Sequence, residues 1–106
     1  MFRVNGEYWR VVSVPPNYSK LYRQDGSLSV ACCDNNDKTI YINNTLRGKF
    51  FRKVLCHEIT HAAMFSYDVN LTVDQEELIA NILATYGDEI IYITNKVFNK
   101  ISGDYF

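Results

Sequence analysis

The stretch VLCHEITHAAM, residues 54 to 64, holds both histidines of the chain, His57 and His61, four positions apart with Glu58 between them. On a helix, positions i and i+4 stack one turn apart, so the two imidazoles face one point in space and can share a tetrahedral zinc ion at about 2.0–2.1 Å each. Glu58 falls on the flank of that face. There its carboxylate can take a proton from a metal-bound water without itself binding the metal, as a hydrolytic zinc site requires. The plain alternative is an amphipathic helix with incidental histidines. At ordinary residue frequencies this spacing arises by chance in well under about one chain in a hundred of this length.

Two histidines leave such a site incomplete, because catalytic zinc takes three protein ligands and keeps a fourth position for water. A histidine six residues beyond His61 would complete one type of zincin, but that position is Tyr67, and Met64 stands where its glycine turn would be. With no histidine left, the third ligand is expected to be a carboxylate or a thiolate. The segment EELIAN offers Glu77 and Asn81, four apart on one helix face and distinct from a Leu78, Ile79 and Ile82 stripe expected to face the core. Glu77 is the expected third ligand. Asn81 is expected to accept a hydrogen bond from the free ring N–H of a ligating histidine and so fix its tautomer. Glu76 is the competing ligand, and both glutamates also suit a solvated helix start favoured by the helix dipole.

The elements that must position these groups divide the chain in two. From Glu7 to Asn43 the pattern is strand-like: EYWRVVSV ends at Pro15 and Pro16, Asp25-Gly26 marks a turn, and LSVACC is followed by DNND and KTIYIN. The last two strands predict a hairpin with one buried face, since Leu28, Val30 and Cys32 alternate with Ser29, Ala31 and Cys33. The segment NYSKLYR leaves turn, short helix and loop all open. After Asn44 the period becomes helical: Phe51, Val54, Leu55, Ile59, Ala62 and Phe65 recur at three- and four-residue steps behind Asn44 or Thr45 as N-cap. A second helix follows over TVDQEELIANILATYG, behind a capping-box spacing from Thr72 to Gln75. Gly87 is a candidate stop, but Ile90, Ile93, Val97 and Ile101 keep the same period to about Lys100. Strands first and helices afterwards predict an α+β domain: a small antiparallel sheet of about three strands packed on the histidine helix and one or two helices after it.

Length and composition set the bounds. One domain spanning residues 1–106 is expected, large enough for a core without disulfides, and 47% hydrophobic residues fit a globular protein. A net charge of −1 gives no electrostatic case for nucleic acid or an anionic membrane as partner. No secretory leader or membrane-spanning run is apparent, so a cytoplasmic location is expected. Cys32, Cys33 and Cys56 make an odd count, and reduced thiols follow from that setting. Cys32 and Cys33 fall on opposite faces of a strand, which favours packing over metal binding. Cys56 adjoins His57, but helix neighbours point about 100° apart, a poor geometry for a nucleophilic dyad. Arg47, Lys49, Arg52 and Lys53 suit a solvated face or the docking of an acidic protein.

HEITH on one helix followed by EELIANILA on the next resembles the gluzincin metallopeptidases of the ImmA/IrrE family, particularly the small phage and prophage versions, over roughly Thr39 to Gly87. The resemblance implies His57, His61 and Glu77 as zinc ligands, Glu58 as general base and Asn81 as support. It also implies a minimal zincin-like fold, with a peptide substrate lying extended along an edge strand, and some members of the family cleave a cytosolic regulatory protein. Many gluzincins stabilise the oxyanion with a further histidine, and this chain has none left. A tyrosine, an arginine or a backbone N–H must serve, with Tyr67 and Tyr86 as candidate donors because each follows a ligand-bearing segment. The competing hypothesis is a catalytically idle zinc module that binds a protein through its sheet edge. A structural zinc takes four protein ligands and has no use for Glu58, which favours the enzyme.

Overall fold

In the computed structural model, which describes residues 1–105, the chain order is β1 (Phe2–Val4), β2 (Glu7–Val14), a 3-10 turn (Ser19–Leu21), β3 (Ala31–Asp34), β4 (Thr39–Asn43), α1 (Gly48–Ser66) and α2 (Val73–Tyr105). The domain is α+β, as expected; Phe106 lies outside the described residues. The sheet, in the order β1-β2-β4-β3, departs from three antiparallel strands in two ways. First, Asn5 and Gly6, at φ 47° and 79°, form a two-residue turn that adds β1 to β2 with Phe2 opposite Trp9. Second, β2 pairs parallel with β4, from Arg10 opposite Thr39 to Val14 opposite Asn43. The long connection after Pro15 makes this possible, because it carries the chain across one sheet face before β3 and β4 form. The expected hairpin joins β3 and β4, with Ala31 opposite Ile42 and Asp34 opposite Thr39. Its first strand starts at Ala31, since Leu28 makes only an isolated bridge to Tyr22.

The expectation of a single buried face also needs correction, because Thr39, Ile40, Tyr41 and Ile42 on the inner strand β4 are all buried. Against one face, α1 presents Ala62 to Trp9 and Ile40, and Val54 to Ala31 and Ile42. Against the other, the connection after β2 folds back and seats Leu21 on Val14 and Tyr41. NYSKLYR thus ends in a 3-10 turn whose last residue is a plug.

α1 starts at Gly48, later than the expected cap, because Asn43 Oδ1 accepts hydrogen bonds from the Thr45 N–H (2.8 Å) and hydroxyl (2.6 Å) and holds that segment in a turn. At its other end the Val69 N–H bonds to Met64 O (2.9 Å) and the Asp68 N–H to Phe65 O (3.1 Å), with Asp68 at φ 54°. This is a Schellman ending with a non-glycine residue in the left-handed position. The first hairpin clamps the same end: the Trp9 indole donates to Ser66 Oγ (2.8 Å) and Asn5 Nδ2 to Ser66 O (2.9 Å). The capping box of α2 is present, with the Thr72 N–H on Gln75 Oε1 (3.1 Å) and the Gln75 N–H on Thr72 Oγ1 (3.2 Å).

α2 then runs through Gly87 without a break, antiparallel to α1, with His61 meeting Glu76 and Arg52 Nη2 meeting Asp88 Oδ1 at 3.0 Å. Its innermost residue is Ala80, fully buried, with Glu76, Glu77, Ala84 and Gly87 half-buried around it. The expected core stripe is corrected: Leu78 and Ile82 are exposed, and Ile79 is half-buried. The one α2 residue that the contact buries completely is the small Ala80, and the larger apolar side chains Leu78 and Ile82 stay outward.

Candidate metal centre

Three donor groups converge where α1 faces α2. His57 and His61 stand one turn apart with their Nε2 atoms 3.1 Å from each other, and the Glu77 carboxylate reaches both, Oε2 to His57 Nε2 at 3.2 Å and Oε1 to His61 Nε2 at 2.8 Å. A tetrahedron with bonds of about 2.0–2.1 Å has edges of roughly 3.3 Å. The donor set therefore fits one zinc-sized cation after a small expansion. Two imidazole lone pairs and a carboxylate aimed at one point are the N/O set that a divalent cation neutralises. Among the described residues no fourth His, Cys, Asp or Glu joins the group, so a coordination direction stays open.

The contact behind His61 comes from a residue expected only as a competing ligand. Glu76 Oε1 lies 2.6 Å from His61 Nδ1, so a proton held on that nitrogen would leave Nε2 free to meet a cation at the point shared with His57 and Glu77. The expected support, Asn81, is a correction: it lines the hollow beside His57 and Glu77, but it is exposed, and the bond to a ligand ring comes from Glu76. The reason is geometric. One residue of helix rotates by about 100°, so Glu77 turns toward both Nε2 atoms while Glu76 passes behind His61.

Glu58 is buried and lines the same hollows as the three donors. Burial pushes its carboxyl up to about 7; the nearby His61 opposes this and the Glu77 carboxylate adds to it. A carboxyl near neutrality is suited to taking and returning a proton. Two hollows meet at this point. The larger, about 520 Å³, lies between the metal donors and the free edge of β3, where Ala31, Cys32 and Cys33 form its wall. The smaller, about 280 Å³, extends past Asn81 toward Phe50 and Lys53. Arg23, in the loop after the 3-10 turn, lines both.

The expected oxyanion donors lie elsewhere. Tyr67 borders a separate apolar hollow with Met64 and Val69, and Tyr86 lies nine residues, half a helical rotation, from Glu77 and so points away from the donors. The hollow beside the donors is lined instead by Lys20, Tyr22, Arg23 and Gln24, from a segment whose sequence carries no motif. Cys32 and Cys33 split between the two sheet faces as expected, packing on the Tyr41 and Ile40 clusters. Burial, with the Glu58 charge adding to it, raises both thiols, which makes them poor nucleophiles at neutral pH. Comparison with protein families, with curated proteins and with solved structures gives no significant match to this chain.

Proposed function

We propose that the protein is a zinc-dependent metallopeptidase of the gluzincin type, hydrolysing peptide bonds of a regulatory protein in the cytoplasm. The observation that carries this reading is the meeting of His57, His61 and Glu77 at one point beside a buried Glu58, with the remaining side open to a hollow. Among the described residues no helix is long and apolar enough to cross a membrane. A bound zinc ion would supply Lewis acidity and an activated water. Glu58 takes the proton of the attacking water and returns it to the leaving amine nitrogen. Glu76 holds the His61 ring in the tautomer that binds. The free edge of β3 suits an extended peptide, paired through its backbone. Arg23, a cation that lines both hollows, is the candidate in place of the two tyrosines for meeting negative charge on the carbonyl oxygen.

The alternative of an idle zinc module is separated from this reading by two variants. The parent is expected to hold one zinc per chain by elemental analysis, Glu77→Ala to lose it, and Glu58→Gln to keep it while losing hydrolysis of an unfolded protein substrate. A parent without zinc overturns the metal reading. A parent with zinc that cleaves nothing in a broad peptide library leaves the idle module as the answer.

A further inference from the structure

The C-terminal part of α2 has no cover within the described chain. Since Arg52 meets Asp88 and α1 begins at Gly48, α2 runs past the start of α1 soon after residue 90. Along that projection Ile90, Ile91, Ile93, Val97, Phe98 and Ile101 are all exposed. A helix standing alone in water does not keep so much apolar surface without a partner.

The pattern on this surface specifies what the partner is. Leu83, Tyr86, Ile90, Ile93 and Val97 follow one another at alternating steps of three and four, the heptad spacing of a helix-pairing seam. Glu89 and Lys96 immediately precede Ile90 and Val97 and therefore lie on one flank of the seam. On the other flank, between α1 and α2, is an apolar hollow of about 350 Å³ bordered by Ile59, Ala63, Met64, Tyr67 and Leu83. The chain thus carries both an uncovered apolar helix and an uncovered apolar recess beside its root.

We propose that a second copy of this chain covers both, in a two-fold dimer with the α2 helices antiparallel. With Ile90 opposite Ile93 of the second copy, Tyr86 falls opposite Val97, and every seam residue in this span meets an apolar one. Glu89 of each copy then lies beside Lys96 of the other, twice by symmetry. A parallel pairing would set Glu89 beside Thr94 and Lys96 beside Ile101, leaving both charges without a partner. The antiparallel register therefore follows from charge complementarity. In it Phe98 and Ile101, on the flank toward α1, come over the apolar recess of the other copy. Glu77 and the hollows of the metal centre lie on the opposite flank of α2, so the dimer leaves that centre open and does not depend on it.

Sedimentation equilibrium across a wide concentration range tests this. The expected mass is twice the 12.3 kDa of one chain. Ile93→Lys and Val97→Glu, at positions exposed in a single copy, are each expected to return the mass to one chain with an unchanged helical circular-dichroism signal. Glu89→Lys and Lys96→Glu singly place like charges together twice and should weaken the dimer by about tenfold at low salt, while the double reversal restores it. The proposal is overturned by a one-chain mass at every concentration, by a dimer that survives Ile93→Lys, or by a double reversal no better than either single change. Association only with lipid vesicles or with a different protein through this face also overturns it.

Discussion

Glu76 and Glu77 are adjacent, alike in charge and different in task. Glu77 faces the shared point of both Nε2 atoms; Glu76 holds His61 from behind at 2.6 Å. Glu76→Ala should therefore leave the donor set complete yet lower zinc affinity about 10–100-fold, as loss of a support for a ligating histidine does. Competition with a chromophoric chelator measures this, and Glu76→Gln, which keeps an acceptor, should lose less. Glu58 gives a second expectation at this scale. Its carboxyl is raised from an ordinary 4.5 to about 7 in the folded protein, so its contribution to stability is fully present below the unfolded value. It is lost as pH rises through the folded value. In chelator-treated protein that loss is on the order of 3 kcal/mol between about pH 4.5 and 7. Urea unfolding of the parent and Glu58→Gln at both ends of that range checks it: the variant should lack this part of the slope.

Among the elements, the ending of α1 stands out because Asp68 occupies a left-handed position at φ 54° that glycine fills without strain. Asp68→Gly should raise stability by about 0.5–1 kcal/mol, seen as a higher urea midpoint at unchanged slope. The two helices, their capping box and the β3–β4 hairpin were legible because each rests on local pattern: a period, a cap spacing, a turn. The same locality made His57, Glu58, His61 and Glu77 legible as a group. What local pattern could not carry were relations between distant segments. The parallel pairing of β2 with β4 depends on a long connection that packs back on the sheet through Leu21, a contact no local pattern announces. The strand β1 went unread because three residues are too short to show an alternation. The apolar residues of α2 had the right period and the wrong assignment. A periodic stripe marks a face that is covered, and says nothing of whether the cover is the chain's own core; Ala80 took that place instead. Arg23 and Tyr22 come to line the hollow beside the centre only through the fold of their loop.

At the scale of the molecule, the centre bridges the two helices on the side away from the seam, in a body of 56 × 30 × 27 Å whose long dimension reflects the projecting α2. A cation held between α1 and α2 binds the folded chain and not the unfolded one, so it should stabilise the whole. Free zinc at a hundredfold excess over its dissociation constant adds about 2.7 kcal/mol. For a domain of this size that raises the melting temperature by roughly 10–20 °C. Differential scanning calorimetry with and without zinc tests the expectation, and Glu77→Ala should show no such rise.

Trp9 is the chain's single tryptophan, and its indole N–H is spent on the last residue of the helix that carries both histidines. Fluorescence excited at wavelengths that tyrosine does not absorb therefore has one emitter, seated beneath the end of the histidine helix and shielded from solvent. Any event that lifts this end of α1 from the sheet must wet the indole and shift its emission to the red. The chain carries its own optical gauge of whether the scaffold of the centre is closed.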